Sequence, residues 1–479
     1  MKTDILARIF ILIGIIFFQF QCTSPSKKAE NQRPPNILIM LADDMGYADL
    51  NCYGGLSSTP NLDRLASQGI RFTDFYAAAP NCSPSRTGLM TGRAPSRVGM
   101  YNYRDSDNPM HLRDEEITIA ELLKKANYQT AHMGKWHLGE LPATPELNHP
   151  QPHDQGFDYS LGTENNAEPS HLNPVNFVRN GKKLPPREGY SCQLLADEAI
   201  AWLDTAYNDS QPFFLYVAFH EPHQKVASPP ELVQKYPYQG FKAEYLANVE
   251  NLDSAAGRIL NHLVQKGLNQ NTLMIFSSDN GSYRQESNQP LRARKAFVYD
   301  GGIRVPGIFS WPGKIDPGQV ETEPAGLVDL FPTIAQITQK EMPQDRSYDG
   351  TSIAPLLKGQ DFDRKKPLFW FFYRTSPELA IRLGDQMLLG IDHDTIPRTH
   401  RFSAADLDYI RQLQLDEFEV YNLRDDMSQQ QDLSRDLADS IEYQQLLRTK
   451  MDDIQQNGYQ WQDLLPPEGT QRPKMDWIR

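Results

Sequence analysis

The sequence predicts an α/β protein, because short apolar runs alternate with helix-like segments along most of its length. The runs at residues 36–41, 213–219 and 272–276 are continuous, which is typical of strands buried on both faces of a parallel sheet. A mostly helical stretch at 241–268 precedes the third run, and this alternation indicates an α/β core. The chain has 479 residues, which is enough for one large domain or two unequal ones, and 39% of them are apolar, which permits a sizeable core.

Two helices carry clear end signals. Thr59 and Pro60 supply an N-cap and a first-turn proline, and Gly69 supplies a stop, so the first helix is expected between them. Thr118 and Glu121 have the spacing of a capping box, in which each side chain bonds to the backbone of the other residue. The second helix is therefore expected to begin directly after Thr118.

The C-terminal part of the chain has a different pattern. Residues 367–373 are aromatic and strand-like, and residues 378–389 predict a pair of strands joined by a turn. Residues 433–454 have the spacing of a helix. We therefore expect a main domain at 36–365 and a smaller α+β subdomain at 366–479.

The N-terminus has the pattern of an export signal, which we assign to residues 1–22. Its apolar run, 9–18, is too short to span a membrane, and no later segment is apolar enough to do so. Cys22 follows, and then a polar tether at 23–35. Two alternatives stand for an exported, periplasmic protein: a lipid anchor to the outer membrane through Cys22, or cleavage nearby to a soluble form. The residues before Cys22, 19–21, depart from the small-residue pattern of lipoproteins.

Charge and cysteine content narrow the function classes. With 48 basic and 61 acidic residues the net charge is −13, which argues against a nucleic-acid partner. An anionic substrate would therefore need a local cluster of Lys, Arg and His inside an acidic body. Four cysteines are too few for a disulfide scaffold in a chain of this length. Cys52 and Cys192 could pair in an oxidising compartment, and the sequence leaves this open.

Acidic and amide side chains follow two of the predicted buried strands. Asp43 and Asp44 end the first, and Asp279 and Asn280 end another much later in the chain. Ligands of open α/β sheets bind at the carboxyl ends of strands, and oxygen-only ligand sets favour calcium or magnesium. The alternatives are a helix cap for the first pair and a simple turn for the second, since Asn-Gly is a strong hairpin signal.

Basic side chains follow predicted strands in the same way. Lys135 and His137 follow a strand-like stretch at 128–133, His223 follows the run at 213–219, and Lys295 lies in a basic loop. Each alone is more often a solvated loop residue or a satisfied histidine. Together they lie where one rim of a sheet would gather them around an anion.

The string Cys-Ser-Pro-Ser-Arg-Thr-Gly-Leu-Met-Thr-Gly-Arg at 82–93 decides between these interpretations. Taken by itself, Cys82 could be a buried structural cysteine before a turn. The whole string, however, matches every fixed position of the C-x-P-S-R-x-x-L-x-T-G-R motif of type I sulfatases. Further segments resemble strings of that family in the family's order, at 41–47, 134–139, 213–223, 278–281 and 291–306. The chain thus resembles the formylglycine-dependent, arylsulfatase-like members of the alkaline phosphatase superfamily, including bacterial polysaccharide sulfatases.

The resemblance implies an alkaline-phosphatase-like sandwich, with a large central mixed sheet flanked by helices, and sulfate ester hydrolysis by the domain at 36–365. It also implies that a maturase oxidises Cys82 to formylglycine (3-oxoalanine), and that each chain binds one calcium ion. The implied metal ligands are Asp43, Asp44, Asp279, Asn280 and the modified Cys82. The implied catalytic residues are Arg86 and Lys135 for the formylglycine hydrate, His137 for sulfate release, and His223 and Lys295 for ester binding and leaving-group protonation.

The implied chemistry is physically coherent. An aldehyde hydrate has two hydroxyls on one carbon, so one can attack sulfur and the other can later lose its proton and expel sulfate. A calcium ion and the cations of Arg86, Lys135 and Lys295 would offset the charge of the ester in a dry pocket.

Two other functions remain as alternatives. One is a phosphatase or phosphodiesterase of the same superfamily, which metal analysis would distinguish. The other is a non-catalytic glycan-binding surface protein, although no expected catalytic position is missing.

The sequence leaves the substrate open. Export fits a sulfated polysaccharide, either algal (ulvan, fucan or carrageenan) or a glycosaminoglycan, while sulfated lipids and aryl sulfates stay as alternatives. We expect the loop at 142–183 and the C-terminal subdomain to set the specificity.

Overall fold

The computed structural model describes residues 33–105, 108–144, 149–205, 207–208, 210–397, 402–436, 440–462 and 464. Pro35–Arg479 form one compact unit. The predicted leader at 1–22 and most of the tether at 23–35 lie outside the described residues. No helix among the described residues has both the length and the apolar character needed to cross a bilayer.

A ten-stranded mixed sheet forms the centre of the fold, beside a two-stranded and a four-stranded sheet. The strands are β1 Asn36–Asp43, β2 Ile70–Phe72, β3 Phe75–Tyr76, β4 Gln129–Lys135, β5 Tyr159–Thr163, β6 Val178–Arg179, β7 Lys182–Lys183, β8 Phe213–Pro222, β9 Thr272–Ser278, β10 Gly307–Ser310, β11 Gln319–Glu321, β12 Ala325–Gly326, β13 Leu368–Phe371, β14 Leu379–Leu383, β15 Gln386–Ile391 and β16 Glu417–Asn422. The order in the large sheet is β11-β2-β10-β9-β1-β8-β4-β5-β6-β7. Its centre, β9-β1-β8-β4-β5, is parallel, so the carboxyl ends of these five strands meet at one edge.

Helices cover both faces of the large sheet. They are α1 Pro60–Ser67, α2 Cys82–Thr91, α3 Ile119–Lys125, α4 Ser191–Thr205, α5 Pro230–Val233, α6 Phe241–Gln265, α7 Asp300–Ile303, α8 Leu330–Ile337, α9 Ala404–Gln412 and α10 Ser440–Asn457, with short 3-10 turns at Asn51–Tyr53, Asn269–Asn271, Gln285–Asn288, Leu327–Asp329 and Leu356–Lys358. The central strands therefore lie between two separate cores. Alternate residues of β1 belong to one core (Ile37, Ile39, Leu41) and to the other (Leu38, Met40, Ala42). This two-sided burial explains why the strand is a continuous apolar run.

The C-terminal strands β13–β16 form an antiparallel four-stranded sheet, and α9 and α10 pack with it around a third core. Side-chain contacts tie this sheet to the segment on either side of β3. Trp370 of β13 donates through Nε1 to the carbonyl of Ala77 at 2.7 Å, and Arg382 of β14 pairs with Asp74 at 3.2 Å. The predicted α/β fold with a smaller C-terminal α+β part is confirmed, while its boundary at residue 366 stays a prediction.

Most of the predicted elements are present, with shifted ends. The capping box of Thr118 and Glu121 forms at the start of α3. Thr59 precedes α1 as expected, but its hydroxyl donates to the Asp63 carboxylate and does not cap the helix backbone. The predicted C-terminal helix begins later than expected, at Ser440, because residues 433–436 form turns.

The structure bears on three local alternatives from the sequence. The Asn-Gly pair at 280–281 does not join a tight hairpin, since the next strand after β9 begins only at Gly307. Asp43 and Asp44 do not cap a helix, because β1 is followed by turns. Cys52 and Cys192 are both free thiols, so the disulfide that the sequence left open does not form in this structure.

Candidate active site

The carboxyl ends of the central parallel strands bring the predicted site residues together. Asp43 ends β1, Lys135 ends β4, Asp279 follows β9 and His223 follows β8. The side chains of Asp43, Lys135 and Asp279 are fully buried. These groups therefore lie at one edge of the sheet, the carboxyl ends of its parallel strands, where ligands of open α/β sheets bind.

The carboxylates form one tight cluster with Cys82. One ligand atom from each of Asp43, Asp44, Asp279 and Cys82 lies within 4.8 Å of the others. Asp44 has a φ of 62°, a left-handed conformation that is uncommon outside glycine. Its backbone N–H donates to Asp279 Oδ1 at 3.1 Å, which links the end of β1 to the end of β9.

Three cations offset the charge of the three carboxylates. Lys135 Nζ lies 2.8 Å from Asp43 Oδ2, and Lys295 Nζ lies 2.7 Å from Asp44 Oδ1. Arg86 contacts Asp279 Oδ2 through both Nε and Nη2 at 2.8 Å. Buried charges lose their hydration, so such a cluster is tolerable only when charges and hydrogen bonds are well matched.

Cys82 is the first residue of α2, and its Sγ lies at the centre of this cluster. Sγ is 3.6 Å from Asp43 Oδ1, 3.7 Å from Asp44 Oδ1 and 3.3 Å from Lys295 Nζ. Burial raises the pKa of the Cys82 thiol, and Lys135 and Lys295 offset only part of that effect. An unmodified Cys82 would therefore be a neutral thiol, and a weak nucleophile, at physiological pH.

The sequence around Cys82 explains the start and the end of α2. Pro84 lies in the first turn, where a missing N–H breaks no helical hydrogen bond. Ser85 Oγ accepts the N–H of Ala78 at 2.9 Å and so fixes the segment before the helix. Gly92 ends the helix with a φ of 67°, and an added Cβ there would lie 2.7 Å from Phe331. The motif residues thus position the Cys82 side chain as well as surround it.

The pKa values of the carboxylates differ because their surroundings differ. Burial alone would raise the pKa of Asp43, but Lys135, His223, Arg86 and Lys295 together hold it well below its ordinary value. Burial raises the pKa of Asp279 to about 6, although Arg86 acts in the opposite direction.

The residues present fit a hard divalent cation. Asn280 Nδ2 donates to Asp44 Oδ1 at 2.7 Å, but Asn280 Oδ1 is buried and has no hydrogen-bond partner among the described residues. A buried amide oxygen without a partner is costly unless it meets a ligand. Three adjacent carboxylates supply the oxygen ligands that such a cation prefers, so Asp43, Asp44, Asp279 and Asn280 could hold one.

His223 and Lys295 form the more open side of the site. Their side chains are 21% and 19% exposed, whereas those of Asp44 and Asp43 are almost fully buried. His223 Nε2 lies 3.5 Å from Asp44 Oδ2, and Nδ1 lies 2.7 Å from the carbonyl oxygen of Gln224. If Nδ1 carries its proton toward that carbonyl, Nε2 is the nitrogen that faces the cluster.

His137 is buried beside the cluster rather than within it. Its Nε2 lies 2.8 Å from the carbonyl oxygen of Arg104, and its Nδ1 has no hydrogen-bond partner among the described residues. Burial lowers the pKa of His137 well below its ordinary value, and Lys135 and Arg86 lower it further. His137 is therefore a neutral imidazole in the structure as it stands.

Two residues that position His137 had not been predicted. Arg104 is fully buried and pairs with Glu164 at 2.5 Å, and the backbone N–H of His137 donates to the carbonyl of Glu164 at 2.7 Å. The sequence gives no local signal for either residue, because an Arg in a polar loop and a Glu after a short strand are both ordinary. His220, fully buried in β8 and bonded to Thr163 at 2.7 Å, was also missed. The sequence did contain a signal for His220, because it is a polar residue directly after the apolar run at 213–219.

Comparisons with known proteins agree with this geometry. Residues 35–340 match the family described as Sulfatase, and residues 293–457 match the family described as N-sulphoglucosamine sulphohydrolase, C-terminal. The chain is 36% identical to N-acetylgalactosamine-6-sulfatase of Mus musculus over 383 residues, covering 74% of this chain and 71% of the mouse protein. It is also 36% identical to arylsulfatase A of Homo sapiens over 383 residues, covering 74% of each.

Solved structures have the same fold. The crystal structure of Ps i-CgsB superposes with a TM-score of 0.76 and 27% identity, covering 89% of this chain and 94% of that one. The PsFucS1 sulfatase from Pseudoalteromonas sp. superposes with a TM-score of 0.71 and 25% identity, covering 89% of this chain and 92% of that one.

Proposed function

Because the chain belongs to the sulfatase family and is thus a sulfuric ester hydrolase, we propose that it removes sulfate from a polysaccharide by means of formylglycine and calcium. The formylglycine is the oxidised form of Cys82, made by a maturase, and one calcium ion binds per chain. The observation that carries this proposal is the position of Cys82 Sγ between two aspartates and Lys295.

The setting of Cys82 favours a modified residue over a thiol. Burial opposes formation of a thiolate at this position, so sulfur would be a weak nucleophile here. A formylglycine hydrate supplies one hydroxyl to attack sulfur and a second to release the sulfate afterwards. The Sγ atom marks the place of one such oxygen, and Lys295 Nζ, 3.3 Å away, is close enough to stabilise negative charge on it.

The metal would be held by residues that the structure already clusters. Asp43, Asp44, Asp279 and the unpartnered Oδ1 of Asn280 are the expected protein ligands of calcium. Calcium would lower the energy of negative charge on the attacking oxygen and on the sulfate group. Arg86 and Lys135 hold two of these carboxylates in place from the buried side.

His223 and Lys295 are the groups we assign to the ester. They are the more exposed members of the site, so substrate can reach them. Protonation of the leaving oxygen by His223 Nε2 would be general acid catalysis. We assign His137 to sulfate release, which requires its Nδ1, the nitrogen that is not bonded to Arg104.

The relatives support a carbohydrate substrate. The mouse relative is named N-acetylgalactosamine-6-sulfatase, and Ps i-CgsB has been crystallised in complex with k-i-k-neocarrahexaose. An export signal at residues 1–22 would place the enzyme in the periplasm, where extracellular glycans arrive, either with a lipid anchor at Cys22 or after cleavage nearby to a soluble form. We also propose a catalytic domain at 36–365 and a C-terminal subdomain at 366–479, with the boundary where the sequence pattern changes.

The test is desulfation across a panel of sulfated oligosaccharides from carrageenan, fucan, ulvan and glycosaminoglycans. We expect release of inorganic sulfate from at least one glycan, and none with the Cys82→Ala variant. Release of phosphate from phosphate esters in place of sulfate would overturn the proposal. Circular dichroism of Cys82→Ala is the control that the variant is folded.

A further inference from the structure

A second cavity lies on the same rim of the sheet as the catalytic cluster. It has a volume of 450 Å³, within the range of roughly 300–1,000 Å³ that is usual for small-molecule sites. Glu140, Glu164, Asn165, Asn166 and Val175 are among the residues that line it. All five lie in or directly before the loop at 142–183, which is expected from the sequence to set specificity.

The backbone connects this cavity to the catalytic cluster. Strands β4 and β5 are parallel and paired up to Lys135 and Thr163, and the pairing continues beyond their ends. The N–H of Trp136 donates to the carbonyl of Thr163 at 2.9 Å, and the N–H of His137 donates to that of Glu164 at 2.7 Å. Glu164, which lines the cavity, is thus bonded to the backbone of His137, the residue assigned to sulfate release.

The catalytic cluster and the cavity differ in their charged groups. The catalytic cluster contains Arg86, Lys135 and Lys295, which suit a sulfate group. The cavity is lined by four carboxylate side chains and a single lysine. Arg104, which pairs with Glu164, offsets one of those carboxylates. The lining thus stays net negative and would repel a uronate or a second sulfate.

The other lining groups suit hydroxyl-bearing, uncharged rings. The side-chain amide oxygens of Asn165 and Asn166 are buried and have no hydrogen-bond partner among the described residues, which leaves each without the donor that a buried acceptor needs. Val175 is 49% exposed and gives an apolar surface at the cavity. Carboxylates and amides accept hydrogen bonds from sugar hydroxyls, and an apolar side chain packs on the less polar face of a ring.

We propose that this cavity is the subsite for the ring next to the sulfated one and that it takes an uncharged saccharide residue, so the preferred substrates carry sulfate on neutral chains and not beside uronates. The inference rests on the proposed sulfatase function and adds to it the charge of the ring next to the sulfated one. Glu140 discriminates by charge, and Asn166 contributes by hydrogen bonding.

The test uses two disaccharides with one sulfate on the same hexose, whose neighbouring ring is a hexose in one and the matching hexuronate in the other. We expect kcat/KM to be about tenfold higher for the neutral disaccharide, and the ratio to shrink as salt is added, because salt screens repulsion between charges. Glu140→Gln keeps the acceptor that bonds Thr144 and should raise kcat/KM for the uronate probe about threefold. Asn166→Ala should raise KM for the neutral probe.

The matched control is Glu341→Gln, which removes an exposed carboxylate away from the cavity lining and should leave the ratio unchanged. Equal or better hydrolysis of the uronate probe by the unmodified sequence would overturn the inference, as would a ratio unmoved by Glu140→Gln. Both results leave the sulfatase proposal intact. Failure to release sulfate from any probe, p-nitrophenyl sulfate included, would instead contradict the proposed function itself.

Discussion

Replacing Arg86 by methionine removes a charge from the centre of the molecule while keeping much of the side-chain volume. The Arg86 side chain is fully buried. It contacts Asp279 Oδ2 twice at 2.8 Å, donates to the carbonyl of Lys135 at 2.9 Å, and lies 3.7 Å from Asp43. Arg86→Met leaves two buried carboxylates without that counter-charge.

The expected cost follows from this burial. Breaking a buried ion pair by removing one partner destabilises a protein by about 3–5 kcal/mol, because the remaining charge is left uncompensated. An exposed pair such as Arg411 and Asp408 contributes about 0–1 kcal/mol, so Arg411→Met is the matched control. In Arg86→Met with Asp279→Asn the orphaned charge is neutralised, and part of the lost stability should return.

The assay is urea unfolding followed by circular dichroism, in the presence of a chelator so that a bound metal does not contribute. The five proteins needed are the unmodified chain, Arg86→Met, Asp279→Asn, the double variant and the control Arg411→Met. If Arg86→Met costs no more than Arg411→Met, the buried pair is not holding the site together. If the double variant is less stable than Arg86→Met by the full cost of Asp279→Asn, the two side chains do not act as a pair.

Three further predictions concern acid catalysis, the metal and pH. His223→Ala should lower kcat/KM on a sugar sulfate by about 10²–10⁴-fold and much less on an activated aryl sulfate, which needs little protonation, whereas equal losses would reassign His223 to binding or structure. Asn280→Ala should bind calcium more weakly by calorimetry and lose activity with an unchanged circular dichroism spectrum, and full activity of metal-free protein in chelator would contradict the calcium assignment. Burial lowers the pKa of His132 to about 3, so below pH 6.5 the unfolded chain takes up a proton there that the folded chain does not, and stability falls with falling pH. The His132 ring packs against Trp136 and Phe157, so phenylalanine is a suitable replacement. In His132→Phe the plot of unfolding free energy against pH should be less steep between pH 6 and 4, by about 1.4 kcal/mol per pH unit. Equal slopes for the variant and the unmodified chain would show that His132 does not contribute.

The parts of the fold that were predictable from the sequence are those where burial leaves a simple pattern. β1, β8 and β9 lie between two cores, so both of their faces are apolar and the runs are continuous. β6 and β7 have two residues each, too few for any periodicity to appear. The 15-residue helix α4 was also missed, although residues such as Leu195, Ala199 and Trp202 bury one face of it.

The residues of the candidate site also differ in whether the sequence predicts them. Asp43, Asp279 and Lys135 were predictable because each ends or follows a buried strand, and the string at 82–93 then favoured a site over the cap, turn and loop alternatives. Arg104 and Glu164 were not, because their importance arises from a tertiary contact that holds His137 in place. No pattern within a few residues of either one encodes that contact.

The proposed mechanism depends most on the chemical state of residue 82. Mass spectrometry of the peptide that contains residue 82 tests that state directly. Enzyme purified in active form should yield a peptide in which the side chain has lost its sulfur and carries an aldehyde, and it should react with aldehyde-selective probes. Protein made in a host without a formylglycine-forming maturase should keep the thiol, fold normally and be inactive. An unmodified Cys82 thiol in fully active enzyme would contradict the mechanism proposed here.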